Sequence, residues 1–187
     1  MLEIACVEMR DGVATGESVH RYINPGVDVS DDVLRDLGTS SDKLADKAPF
    51  AEAAPYVCDF LRGRAIIAYD LDQVGVLERE MTQLIARLLP PWKSGNWDLD
   101  AQCSLQSLSM LGKVIEAPGD GLRELCAHYG VEPPKSPSAF DEANCVGAVY
   151  AAMEPDLLAW EREYGEAIIT DSERDSPAES AGELRLW

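Results

Sequence analysis

The run Ala65-Ile66-Ile67-Ala68-Tyr69 constrains this chain more than any other stretch. It is apolar without alternation, and it lies between two helical patterns. A strand read this way is buried on both faces and needs helices to cover it. The preceding helix opens at Pro49-Phe50 and runs through Leu61, with Ala54, Val57, Cys58 and Leu61 on one stripe; Gly63 closes it. The following pattern, residues 74–89, ends at Pro90-Pro91. Strand and helix signals interspersed in this way predict a mixed α/β domain.

The rest of the chain agrees. Residues 2–9 are mostly apolar and 18–23 alternate, with Asp11-Gly12 between them, which predicts a β-hairpin. Asn24-Pro25-Gly26 ends its second strand, and Ser30 offers an N-cap to a short helix over VLRDL. After an irregular stretch containing Trp92 and Trp97, helices are expected at about 104–113 and 121–129, the latter capped by Gly130. The loop VEPPKSP leads into a helix from Ser138 to Met153. A further helix over 155–164 is expected to end at Gly165, followed by a strand at Ala167-Ile168-Ile169-Thr170.

The length of 187 residues suits one compact domain, 1–187, with a core over 1–153 and an acidic segment over 154–187. Thirty-four acidic residues against sixteen basic ones give a net charge of −18, which repels a phosphate backbone at long range. The excess is densest after Glu154, where solubility is its plain reading. No apolar run approaches the roughly 18 residues of a membrane span, and the first residues do not read as a secretory signal. Five scattered cysteines without a CxxC pair read as buried thiols in a reducing cytoplasm.

Several segments together resemble the DEDDh-type 3′–5′ exonucleases, the type found in the epsilon subunit of bacterial DNA polymerase III. These are Glu3–Glu8 with Asp11-Gly12, Tyr22–Pro25, Asp42–Leu44 with Pro49–Glu52, Leu122–Gly130 and Val149–Met153. Their order and spacing hold over residues 2–153. The resemblance implies a ribonuclease H-like fold, a mixed sheet flanked by helices. It also implies hydrolysis of nucleotides from 3′ ends by two divalent metals, Mg²⁺ or Mn²⁺, held by four carboxylates, with a histidine as general base.

In that family the central first strand ends in Asp-x-Glu and precedes the segment matching residue 3. Residues 167–173, Ala-Ile-Ile-Thr-Asp-Ser-Glu, resemble it, and Arg174–Pro177 resemble the loop that follows. The expectation is a circular permutation, with the first strand moved behind the last helix. A strand lent by a second copy, making a homodimer, would fill the same gap.

The resemblance then places the site. Asp171 and Glu173 stand at the first motif. At the second, Gln73 falls on the metal-binding aspartate, with Asp72 one residue away and Asp70 at an asparagine position. At the third, Glu142 falls on the aspartate with Asp141 beside it, and Pro137 falls on the histidine. Candidate catalytic residues are Asp171, Glu173, Asp72 and Glu142, and candidate metal ligands are these with Asp141. Asp70 and Asp72 read equally as solvated loop acids, and Glu142 as a helix acid that favours the dipole. An amide does not replace a bridging carboxylate, and proline cannot act as a base. The two histidines, His20 and His128, fit structural roles.

Three functions follow as expectations. The first is a non-catalytic or weakly active exonuclease-like module that binds single-stranded 3′ ends or a replication or repair protein. The second is a divergent, active, metal-dependent 3′–5′ exonuclease. The third is an acidic protein that occupies a basic partner.

Overall fold

The computed structural model describes residues 1–88, 105–119 and 121–174, with side chains described as far as Tyr164 apart from that of Leu88. The chain enters through β1 (Glu3–Arg10), turns, and returns as β2 (Val13–Tyr22), antiparallel with Glu3 opposite Tyr22. Asp11 and Gly12 form the turn at φ 51° and 75°. Two consecutive positive φ values match the right-handed twist of the strands, which is why an Asp-Gly pair stands there. The register slips between Val7 and Met9, so β1 carries a bulge.

Two short helices follow, α1 (Asp31–Asp36) and α2 (Ser41–Ala45). Ser30 does stand at the N-cap of α1, but its side chain makes no capping bond there; at α2 the Ser40 side chain accepts from the Lys43 N–H. Helix α3 (Phe50–Leu61) buries Phe50, Ala53, Ala54, Val57 and Leu61; of the expected stripe Ala54, Val57 and Leu61 are buried and Cys58 is half-buried. Then come β3 (Ile66–Ala68), α4 (Leu71–Leu88), β4 (Leu105–Ser107), α5 (Leu108–Val114), α6 (Leu122–Tyr129) and α7 (Ala139–Arg174). Gly130 caps α6 in the left-handed conformation, at φ 67°.

Strands β3 and β4 pair in parallel, Ile66 beside Leu105. The sequence reading put a helix over 104–113; instead residues 105–107 are a strand and the helix starts at Leu108. A three-residue strand is too short to show its period, and pairing with β3 decides it. Among the described residues the sheet is thus in two pieces, β1–β2 and β3–β4.

Apolar packing falls into two clusters. One gathers Ile4, Val19, Ile23, Phe50, Val57, Leu61, Val74, Leu77 and Met81, between the hairpin, α3 and α4. The other gathers Leu108, Leu125, Cys126, Cys145, Val146, Val149 and Met153, between α5, α6 and α7. Strand β3 joins them: Ile66 packs on the first and Ile67 on the second. Apolar neighbours thus lie on both faces, as its continuous apolar run predicts, but Ile66–Ala68 are only half-buried, because the strand also lines an open groove.

The C-terminal expectation needs correction. In place of two helices and a strand, one helix continues from Ala139 through Arg174, so residues 167–170 are helical. Gly165 costs a helix only about 1 kcal/mol and does not stop it. A helix also satisfies its main-chain groups locally, whereas Ala167–Thr170 as a strand would need neighbours. Pro155 lies inside α7, where a missing N–H and a ring clash cost about 3 kcal/mol. The expected loop over 174–182 and the Trp92–Trp97 stretch fall mainly or wholly outside the described residues. No helix among the described residues is long and apolar enough to cross a membrane.

Candidate functional site

A groove of about 930 Å³ opens between β1, β3, α4 and α7. Its walls are strand residues Ile4–Arg10 and Ile66–Ala68, Val74 and Leu77 from α4, and Ala143, Val146, Gly147 and Ala151 from α7. Gly147 lets α7 lie close to β1: a Cβ there would sit 3.0 Å from the Met9 sulfur. Helix α7 runs alongside β1, since Ser138 bonds Glu3 at one end and Ala151 lies against Gly12 at the other.

The two ends differ chemically. At one end Glu8 receives Thr15 Oγ1 at 2.8 Å, Arg10 at 3.2 Å and Arg64 at 3.1 Å. The Thr15 hydroxyl bond, helped by both arginines, holds the Glu8 carboxyl below the usual carboxylate range. At the other end Glu3 Oε1 takes the Ser138 hydroxyl at 2.8 Å and His20 Nε2 at 2.7 Å. His20 stacks on Phe140, with ring centroids 5.3 Å apart.

The same end holds the second and third sequence motifs. Gln73, in the first turn of α4, donates its side-chain amide to Glu142 Oε1 at 2.7 Å across to the first turn of α7. Asp72 is exposed, and its main-chain N–H bonds Asp70 Oδ1 at 2.8 Å in a local turn. Asp141 accepts the Ser136 hydroxyl at 2.7 Å. Asp171 and Glu173 lie far along α7; at a rise of ~1.5 Å per residue, Asp171 is roughly 40 Å along the helix axis from Glu142. Their side chains are outside the description. The structure therefore brings Gln73 and Glu142 together and does not bring Asp171 and Glu173 to them.

Beside Glu142 is a smaller hollow, about 370 Å³, lined by Tyr69, Leu122, Arg123, Lys135 and Pro137 among others. Pro137, read as standing at the general-base position, is thus part of this wall.

The model of the exonuclease family RNase_T matches residues 1–146, and that span contains β1 through the first turns of α7. The chain belongs to the exonuclease family. Its mixed α/β architecture is that of a ribonuclease H-like exonuclease domain. The exonuclease domain is 27% identical over 157 residues to DNA polymerase III subunit epsilon of Pasteurella multocida and 27% identical to that of Escherichia coli. The corresponding protein of Salmonella typhimurium is 26% identical. These alignments cover 82% of this chain and 58%, 61% and 61% of the relatives. The exonuclease domain thus spans about three fifths of the length of the curated relatives it matches.

A hard divalent cation asks for several oxygen ligands. Among the described residues no three His, Cys, Asp or Glu side chains are grouped to hold a metal ion. One Glu142 oxygen is already engaged by an amide, and the Asp141 oxygen by a hydroxyl. The described donor set does not fit the two-metal arrangement that the resemblance implies.

Sequence reasoning missed the Glu3–His20–Ser138 network. Glu3 within an otherwise apolar strand was the available signal, but neither partner is near it in sequence. The Arg123–Lys135 hollow was equally hidden, since its two cations come from α6 and from the loop after it.

Proposed function

We propose that this exonuclease-family domain is a non-catalytic nucleic-acid-binding module. The observation that carries the reading is the Gln73–Glu142 hydrogen bond at 2.7 Å. An uncharged amide occupies the position where the resemblance expects a carboxylate, and it engages the carboxylate across the cleft. Proline at the general-base position points the same way, because its side chain moves no proton.

Binding has support of its own. Arg123 and Tyr69 line the smaller hollow, with Glu142 and with Lys135, which is ion-paired to Glu132 at 3.4 Å; the guanidinium and the ring suit a phosphate beside a stacked base. Within a chain of net charge −18 the Arg123 guanidinium supplies a local attraction that the whole molecule lacks. The relatives' name, a subunit of DNA polymerase III, supports a replication protein as the macromolecular partner. The test is a trimming assay on 3′-labelled single-stranded DNA and RNA with Mg²⁺ or Mn²⁺, run beside a binding titration. Expected is salt-sensitive binding that weakens in Arg123→Ala, without trimming. Metal-dependent 3′-end shortening by the unaltered chain would overturn the reading.

The second reading is a divergent, metal-dependent 3′–5′ exonuclease using Asp171, Glu173, Asp72 and Glu142. It is favoured by the open end of the groove, where Gln73 and Glu142 both line the wall. It predicts trimming that disappears when Asp171→Ala and Glu173→Ala are combined.

A further inference from the structure

Two sulfurs meet inside the second apolar cluster. Cys126 on α6 and Cys145 on α7 are 1% and 4% exposed, and their Sγ atoms lie 3.1 Å apart. Cys6 and Cys58 pack instead on the first cluster, where Cys58 Sγ lies 3.9 Å from Met81 Sδ. Cys145 Sγ also lies 3.7 Å from the Glu132 carbonyl, in the loop between α6 and α7. With Cys145 donating to Glu132, the Cys126 thiol donates to the Cys145 sulfur, so the two sulfurs stand in direct contact. Each cysteine also lies about one turn beyond a residue that lines the smaller hollow, Arg123 on α6 and Glu142 on α7.

We propose that Cys126 and Cys145 form a reversible disulfide under oxidation by hydrogen peroxide, a staple that fixes α6 against α7 beneath the hollow. Burial selects the oxidant: sulfurs so well covered admit a molecule the size of peroxide and not a bulky disulfide. The movement is small, since a disulfide sets its sulfurs at ~2.05 Å, about 1 Å closer than the two thiols already stand. Whichever thiol reacts first, its thiolate attacks peroxide; an S–O bond forms, the O–O bond breaks, and the departing hydroxide takes up the thiol's proton as water. The second sulfur then attacks the sulfenic sulfur; the S–S bond forms, the S–O bond breaks, and water leaves with the second proton. The sulfurs lose two electrons to the peroxide oxygens, so two thiols and one peroxide give one disulfide and two waters. Burial pushes the Cys145 thiol up to about 12, which makes the first attack slow, and the adjacent sulfur captures the sulfenic acid before further oxidation. The bond closes a loop of chain that includes Gly130 and Pro137, which removes freedom from the unfolded state.

The experiment is peroxide treatment of the folded, reduced full chain, followed by alkylation and a non-reducing tryptic map. Trypsin cuts after Arg123, Lys135 and Arg162, so the two cysteines fall on separate peptides, Glu124–Lys135 and Ser136–Arg162. No nucleic acid or metal enters the measurement, so its outcome is independent of the binding reading. Expected is a linked pair of these two peptides, slow to appear and undone by dithiothreitol. The thermal midpoint should rise on oxidation and fall back on reduction. Cys126→Ala and Cys145→Ala should each give neither the link nor the rise, with circular dichroism showing that they fold. Recovery of both peptides from the unaltered chain unlinked, as alkylated thiols or sulfinic acids, defeats the proposal. So does a link that joins differently labelled copies, or one that forms only in urea.

Discussion

Gln73 and Glu142 are 69 residues apart in sequence, and their side chains meet at 2.7 Å where the first turns of α4 and α7 converge. The contact joins two positions that the family resemblance had placed in one site. It is an amide–carboxylate hydrogen bond between α4 and α7.

Replacing the amide should therefore expose the logic of the site. Gln73→Asp sets a second negative charge near Glu142 and removes the hydrogen bond, which should cost roughly 1 kcal/mol in metal-free buffer. Adding Mn²⁺ should recover the loss, because a cation now has two carboxylates to bridge. Thermal melts of the variant with EDTA and with Mn²⁺ measure both effects; the unaltered chain should show little difference between the two.

Close approach of α7 to β1 rests on a missing side chain. Gly147→Val places new atoms against Met9, whose sulfur would already lie 3.0 Å from a Cβ. Overpacking at such a seam costs about 1–3 kcal/mol. Urea unfolding should show a lower midpoint with an unchanged slope, and Gly147→Ala should fall between the two because the Met9 side chain can swing aside.

Ser107 is buried at 5% exposure, where β4 becomes α5. Its hydroxyl lies 3.3 Å from the Tyr69 carbonyl and accepts the Met110 N–H at 3.3 Å, tying the end of β3 to the first turn of α5. Ser107→Ala should destabilise by about 1–2 kcal/mol through loss of cap and tie together. Ser107→Thr, which keeps the hydroxyl, should recover most of the capping.

Alkaline pH should weaken the fold through its thiols. Burial pushes Cys6 up to about 11, and Cys145 up to about 12 with help from the neighbouring Cys126. Well below pH 9 each thiol keeps its proton whether folded or unfolded, and stability does not depend on it. Above that the unfolded chain loses protons first, so stability falls with rising pH until the folded thiols titrate too. The predicted readout is a falling urea midpoint between pH 9 and 11, smaller in Cys6→Ala, with slow alkylation of Cys145 in the native state at pH 8.

Several elements were legible because their signal is local. Asp11-Gly12 fixed the hairpin turn, the stripe from Ala54 to Leu61 fixed the face of α3, and Gly130 fixed the end of α6. The β4 strand was not, because three residues carry no period and Leu105–Ser107 extends only because Ile66–Ala68 lies beside it. The site divides the same way. Gln73 and Glu142 were placed side by side in one site by the family resemblance, whereas Glu3, His20 and Ser138 converge from three elements with no sequence pattern to link them.

By itself the sequence determined the alternation of strands and helices, the hairpin turn at Asp11-Gly12 and the helix end at Gly130. These follow from side-chain type and short-range spacing. Tertiary structure alone decided that β1 and β3 face one groove, that Gln73 reaches Glu142 and that Ala167–Thr170 stays helical at the end of α7. Each of these depends on which main-chain and side-chain groups find a partner, and that is a property of the assembled chain.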